Sequence, residues 1–289
     1  MQEGHKFFFM LHYINHNGTL IKSDKPFLTV DNRAFRYGDA LFETMRMSQG
    51  NVLFLENHLQ RLKDGMHYLK MKIPTHFSPL YFRNLLRELT EKNTLFNARI
   101  RLQVYRNDGG LYTPATHATS FVIQMEPVQD THYVLNTEGL NIALYEEIAK
   151  PICKLSNLKT TNSIYSVLAG IYKKEHHLDD CLLLNSEGNI AEAVSSNIFM
   201  VRENIFYTPS LNSGCVAGIM RDQLIKILRK NKKKIHETTF PPDDLLSADE
   251  IFLTNVVSGI RWVKRYKGKI YSNKMTQWLM GNLNKKNYF

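Results

Sequence analysis

Residues 156 to 170 read SNLKTTNSIYSVLAG. One lysine, Lys159, stands among short polar residues. From Asn162 onward, Ile164, Val167, Leu168, Ile171 and Tyr172 recur at helical spacing. The stretch predicts a polar turn that carries an ammonium group just ahead of an amphipathic helix. A lysine in that position is either a solvated surface charge or a nucleophile, and the surrounding sequence has to decide.

Downstream, residues 181 to 201 (CLLLNSEGNIAEAVSSNIFMV) read as three short strands, with Glu187-Gly188-Asn189 turning the first into the second. Glu192 lies just past that turn. Gly218 opens GIMRDQLIKILRK, an amphipathic helix, and EIFLTNVV, residues 250 to 257, reads as a buried strand. Strand character is also expected around residues 133 to 145. Upstream, residues 7 to 14 (FFFMLHYI), 40 to 47, 52 to 55 (VLFL), 99 to 106 and 119 to 126 read as strands, with a hairpin turn at Asn17-Gly18. Helices are expected over 56 to 70 and 78 to 92. The proline-led polar segment 127 to 132 (PVQDTH) is the expected boundary, giving domains over 1–127 and 133–289.

The chain has 289 residues, 43% of them hydrophobic, which suffices for a sizeable core in an α/β protein. The apolar run at residues 7 to 11 is too short for a signal core or a membrane span. Three widely spaced cysteines, Cys153, Cys181 and Cys215, offer neither a disulfide framework nor metal-ligand spacing. They read as reduced thiols, so a cytoplasmic location and no metal are expected. The net charge is +10, but its densest run, RKNKKK at 229 to 234, falls at a helix end without interleaved aromatic residues. Neither a nucleic-acid nor a membrane partner is expected. The positive balance suits anionic small molecules.

Four features combine chemically. Lys159 precedes a helix, Glu192 follows a hairpin, the α-helix opened by Gly218 offers N–H groups to an anion, and Arg61 lies in HLQRL, residues 58 to 62. A lysine for a carbonyl, a carboxylate for a ring nitrogen, and an arginine with a helix N-terminus for a phosphate are what pyridoxal phosphate requires. Each residue also has an ordinary reading. Lys159 is solvated, Glu192 is an exposed strand residue, Arg61 faces solvent near Glu56 or Asp64, and Gly218 ends a loop.

The order and wording of these motifs resemble the class IV aminotransferases, which are pyridoxal-phosphate enzymes of fold type IV. RAFRYGDALFETMR (33–46), HLQRL (58–62), LKTTNSIYSVLA (158–169), EAVSSNIF (192–199) and GCVAGIMR (214–221) correspond in sequence order to five motifs of that family. The resemblance implies a two-domain α/β (α+β) fold, with a smaller N-terminal α/β sandwich and a larger C-terminal pseudo-barrel carrying the Schiff-base lysine. It implies pyridoxal 5'-phosphate as cofactor and Lys159 as the catalytic lysine. Glu192 becomes the pyridine-nitrogen partner and Arg61 a phosphate ligand. Ser195, Ser196, Ile219, Met220 and Asn255 become further cofactor contacts, and Phe42, Glu43 and Arg106 substrate contacts. Met220 departs from the family's usual threonine, which leaves backbone N–H groups to bind the phosphate. Ala193 and Val194 replace its Gly-Ser, and Leu111 stands near where lyases and D-amino acid enzymes often carry an arginine.

The activity so implied is amino transfer between an amino acid, branched-chain or similar, and a 2-oxo acid. Glu43 resembles the transaminase members. Asn255 and Gly109-Gly110 resemble the aminodeoxychorismate lyase side, which is the second reading. A binding protein without catalysis, the third, is disfavoured by the presence of both Lys159 and Glu192. The resemblance further implies a homodimer with the site in a cleft between domains, near the subunit interface, and makes residues 105 to 112 the candidate loop that reaches across.

Overall fold

Asn17 and Gly18 both adopt left-handed backbone angles, with φ of 53° and 89°. A tight two-residue hairpin turn needs that combination. They join strands β1 (Tyr13–His16) and β2 (Thr19–Lys22), with His16 opposite Thr19. The structure is a computed structural model describing residues 12–285. The strand expected over 7–14 lies mostly outside those residues, and its described part begins at Tyr13. The chain forms two compact units, one ending at Gln129 and the other beginning at Asp130.

The first unit continues with α1 (Arg33–Tyr37), β3 (Ala40–Ser48), β4 (Asn51–Val52), α2 (Leu55–Tyr68), α3 (Pro79–Asn93), β5 (Ala98–Arg106) and β6 (Thr119–Pro127). Its six strands form one antiparallel sheet in the order β2-β1-β6-β5-β3-β4. Side chains alternate faces along a strand. Leu41, Met45 and Met47 therefore share a buried face with Ile100, Leu102 and Val104. The buried stripes of α2 (Leu55, Leu59, Leu62, Met66) and α3 (Phe82, Leu85, Leu86, Leu89) supply the remaining core. From α3, Thr90 Oγ1 donates to Met47 Sδ at 3.3 Å, which fixes that helix on the same face. Pro79 starts α3, and the Ser78 side chain caps it by accepting from the Tyr81 N–H.

The expected strand over 52–55 is corrected to two residues. Phe54 turns into left-handed angles (φ 57°), and Leu55 already belongs to the apolar stripe of α2. The helical period overrides the short apolar run.

The second unit contains β7 (Leu140–Lys150), α4 (Lys154–Asn157), α5 (Ile164–Glu175), β8 (Asp180–Asn185), β9 (Ile190–Ala193), β10 (Asn197–Arg202) and β11 (Ile205–Thr208). It continues with α6 (Ile219–Lys230), β12 (Ile235–Glu237), α7 (Asp244–Ser247), β13 (Glu250–Asn255), β14 (Gly259–Tyr266), β15 (Lys269–Ile270) and α8 (Lys274–Lys285). The sheet runs β12-β11-β10-β13-β14-β7-β8-β9, with β15 paired to β14. Its mixed pairing includes parallel contacts of β7 with β14 and with β8. The core gathers Leu140, Ile142, Leu182, Ile198, Met200, Phe240, Ile251 and Val263.

Two expectations change here. The strand expected at 133 begins at Leu140, because the Asn136 side chain takes the place of a ladder. Its amide accepts from the Trp262 N–H (3.0 Å) and donates to the Trp262 carbonyl (3.1 Å). In α5 the apolar stripe divides. Leu168 and Tyr172 pack on Tyr145, Cys181 and Leu183, whereas Ile164, Val167 and Ile171 are exposed. Among the described residues, no helix is long and apolar enough to cross a membrane. All three cysteines are free, and burial pushes Cys181 up to about 12 and Cys215 up to about 11.

Candidate active site

Within the second unit, Glu192 lies on β9 opposite Leu183 of β8, and it is buried. One carboxylate oxygen is bound by the Lys150 ammonium, and the other accepts the Val216 N–H at 2.8 Å. The surface-residue reading of Glu192 is thereby excluded. A buried carboxylate needs partners of this kind, since loss of hydration is otherwise uncompensated.

Val216 leads directly into α6. The Asn197 side-chain amide donates to the Val216 carbonyl at 2.9 Å. A Cβ on Gly218 would stand 1.9 Å from Asn197 Oδ1, so this close approach requires glycine. Gly218 is the N-cap of α6 and offers no side-chain acceptor to the first N–H groups, which belong to Ile219 and Met220. Both of those side chains are buried, so their backbone is what this end of the helix can offer a ligand.

Lys159 lies half-buried in the turn between α4 and α5. Two residues earlier, Asn157 stitches that turn to the approach to α6. Its side chain donates to the carbonyls of Leu211 and Cys215 (2.8 Å each), and its own carbonyl accepts the Ala217 N–H at 3.0 Å. Ser196 Oγ accepts from Asn255 Nδ2 at 3.0 Å, and Asn255 Oδ1 accepts the N–H groups of Val257 and Ser258. Asn255 is thus engaged in holding its own turn. Ser195 is exposed between β9 and β10. The second unit therefore links the Lys159 turn, Glu192 and the start of α6 through one set of hydrogen bonds, with Ser196 and Asn255 tied to each other near Asn197.

In the first unit, Arg61 and His58 project from α2 onto Glu43 of β3. The Arg61 guanidinium takes both carboxylate oxygens, with Nε to Oε1 at 2.8 Å, and His58 Nδ1 lies 2.6 Å from Oε2. The neighbours expected for Arg61 are engaged elsewhere: Glu56 pairs with Arg83, and Asp64 accepts from Gln60. Burial alone would push the Glu43 carboxyl up, but the Arg61 charge and the His58 hydrogen bond outweigh it and hold the carboxyl at about 2.

Phe42 and Glu43 are adjacent on a strand, so they face opposite sides of the sheet. Of these two expected substrate contacts, Glu43 is turned to Arg61 and His58. Phe42 lies under the Arg101 guanidinium, 3.8 Å from its ring centroid. Arg106, the third expected substrate contact, is held at the end of β5. Its guanidinium is consumed by Asp39 (2.9 Å), the carbonyls of Leu69 and Lys70, and His117. Asp39 also receives Arg33, whose Nη1 donates to the carbonyls of Gly109, Gly110 and Leu111.

Sequence reasoning missed Lys150, Asn157 and Arg101. Arg101 is half-buried and has no carboxylate partner among the described residues, its hydrogen bonds going to Gln103. Burial, then the charge of Arg99, disfavours its cation, which suits it to receive an anion. The register of β5 on β3, with Arg101 opposite Thr44 and Gln103 opposite Phe42, sets Arg101 on the face of Phe42.

The chain belongs to the class IV aminotransferase family, which it matches over residues 40–266. A putative branched-chain-amino-acid aminotransferase from Methanocaldococcus jannaschii is 29% identical over 276 residues, covering 93% of this chain and 92% of that relative. The structure of the Escherichia coli branched-chain amino acid aminotransferase superposes with a TM-score of 0.83 at 24% identity, covering 93% of this chain and 92% of that one. A putative 4-amino-4-deoxychorismate lyase from Legionella pneumophila gives 0.82 at 24% identity, covering 91% and 96%. The architecture is that of fold type IV enzymes, a mixed α/β protein with a curled sheet.

Because the Glu43 carboxyl is held near 2 in the folded chain and has an ordinary value of 4.5, its contribution to stability is complete above about pH 4.5 and lost as the pH falls toward 2. Glu43→Gln is expected to destabilise the protein by roughly 3 kcal/mol at neutral pH, the order found when one partner of a buried pair is removed. Urea unfolding of both proteins should show this gap closing between pH 4.5 and 2. A gap that persists unchanged to pH 2 would contradict the pairing.

Proposed function

We propose that the protein uses pyridoxal 5'-phosphate to transfer an amino group between an amino acid with a branched-chain or similar side chain and a 2-oxo acid. The observation that carries this reading is the connection in the second unit. A buried carboxylate, Glu192, accepts a hydrogen bond from the segment that runs into the uncapped start of α6, and Asn157 ties that same segment to the Lys159 turn. The residues suit the cofactor. Glu192 is a charged acceptor for a pyridine nitrogen, the N–H groups of Ile219 and Met220 suit a phosphate, and the glycine-dependent approach at Gly218 keeps that end of the helix free of side chain.

When bound, the cofactor supplies an electron-withdrawing ring conjugated to the substrate's α-carbon. Glu192 holds the proton on the ring nitrogen, and Lys159 Nζ takes the substrate's α-proton. Arg61, oriented by Glu43 and His58, is the phosphate ligand of the first unit. Arg101, stacked on Phe42, receives a substrate carboxylate, and Phe42 contributes apolar surface for the side chain. Ser195 and Ser196 are secondary cofactor contacts. The likeness to the Legionella lyase supports a second reading, action on aminodeoxychorismate.

The assembly proposed is a two-fold dimer. The segment after β5 bears an exposed apolar tip, Leu111 (69% exposed) and Tyr112 (90%), with Phe35 (81%) on α1. Arg33 fixes the tip through three consecutive carbonyls, and Gly109 and Gly110 take φ of 110° and 75°. A held apolar projection of this kind suits a protein contact. Sedimentation should report a mass near twice 33.6 kDa, and a fully active monomer would refute the dimer.

Incubation of the holoenzyme with leucine and 2-oxoglutarate should yield glutamate. Arg101→Met should raise KM for the oxo acid about tenfold or more, the order expected for a lost charged hydrogen bond. Borohydride should fix the cofactor to the peptide containing Lys159, and Lys159→Ala should abolish both labelling and transfer. Turnover of aminodeoxychorismate alone would favour the second reading. Labelling at Lys150 or Lys154 would overturn the assignment of Lys159.

A further inference from the structure

We infer that Lys150 is a positioning residue for Glu192, a resident cation that holds and aims this carboxylate before the cofactor arrives and shares it afterwards. The inference rests on the cofactor reading above and concerns a residue outside the motifs that led to it.

Lys150 ends β7, where the ladder to β8 shifts register so that it pairs with Asn185. That irregularity brings its side chain to Glu192, 42 residues away. Both residues are buried, at 8% and 7% exposure. The ammonium also donates to the Ser156 carbonyl at 3.2 Å, which ties it to α4 and the turn that bears Lys159. One cation thus bridges the carboxylate and the backbone leading to the catalytic lysine. Titratable groups near this pair include the Cys153 and Cys215 thiols, and Arg221 lies near Cys215. Of these cations, only Lys150 is in contact with Glu192, as Arg221 is bound to Glu237 and the Pro209 carbonyl.

The consequence follows from the cost of burying charge. A buried carboxylate with a single N–H partner is left with one oxygen uncompensated. Lys150 gives that second oxygen of Glu192 its partner in the empty site. It also divides the negative charge of Glu192 once a pyridinium is present, so the nitrogen meets a weaker partner than an unshared glutamate. Lys150 is committed to the Glu192 carboxylate and the Ser156 carbonyl, which gives it a different place from that of Lys159.

The test compares binding of pyridoxal phosphate and its 1-deaza analogue, in which carbon replaces the ring nitrogen, by equilibrium dialysis. Wild-type protein should prefer pyridoxal phosphate. In Lys150→Met the pyridinium no longer shares Glu192 with the Lys150 ammonium, so the preference should grow at least about tenfold, while Lys150→Arg should match wild type. Lys150→Gln keeps a neutral donor and should give the same result as the methionine variant if that protein does not fold. Equal weakening of both ligands in the neutral variants would make Lys150 a structural strut and overturn the inference, as would an arginine variant that behaves like them. No preference in the wild-type protein would overturn the Glu192 reading itself, and this inference with it.

Discussion

A carboxylate removed from water must be given partners, and much of the second unit's local structure meets that demand at Glu192. Its two oxygens are taken from different directions, by the ammonium at the end of β7 and by the N–H that leads into α6. Those two contacts bind three segments of chain that are far apart in sequence. Asn157 and Asn197 complete the arrangement with side-chain amides that satisfy carbonyls of the same connecting segment. The start of α6 is therefore held without a side chain of its own capping it, and its N–H groups remain for a ligand. The geometry that stabilises this region is the same geometry on which the proposed cofactor site rests.

The first unit rests on a different constraint, the two-residue period of a strand. Phe42 and Glu43 cannot serve one surface. Glu43 turns to the helices and fixes Arg61 and His58, while Phe42 turns to the opposite face and meets Arg101. Arg106 and Arg33 share Asp39 and tie down the loops at the end of β5. Arg33 and Arg106 thus serve Asp39 and these loops, while Arg61 holds Glu43 and Arg101 lies over Phe42.

What the sequence made legible was local. The Asn17-Gly18 turn, the stripes of α2, α3 and α6, and the alternation of β5 and β6 depend on neighbours a few residues apart. Errors arose where a longer-range partner intervened. VLFL yielded to the stripe of α2, Asn136 replaced the start of a strand, and half the stripe of α5 faces outward. Motif order named Lys159, Glu192 and Arg61, but their partners were hidden. Lys150 meets Glu192 only through a register shift in the ladder, and Glu43 meets Arg61 only through the way α2 packs on β3. Arg106 looked available because its four partners come from other segments.

The most direct measurement is a crystal structure of the protein with pyridoxal phosphate bound. The expected result is a ring nitrogen about 3 Å from the Glu192 carboxylate, with phosphate oxygens at similar distance from the N–H groups of Ile219 and Met220. A cofactor bound with its nitrogen away from Glu192, or its phosphate away from the start of α6, would contradict the assignment of this site.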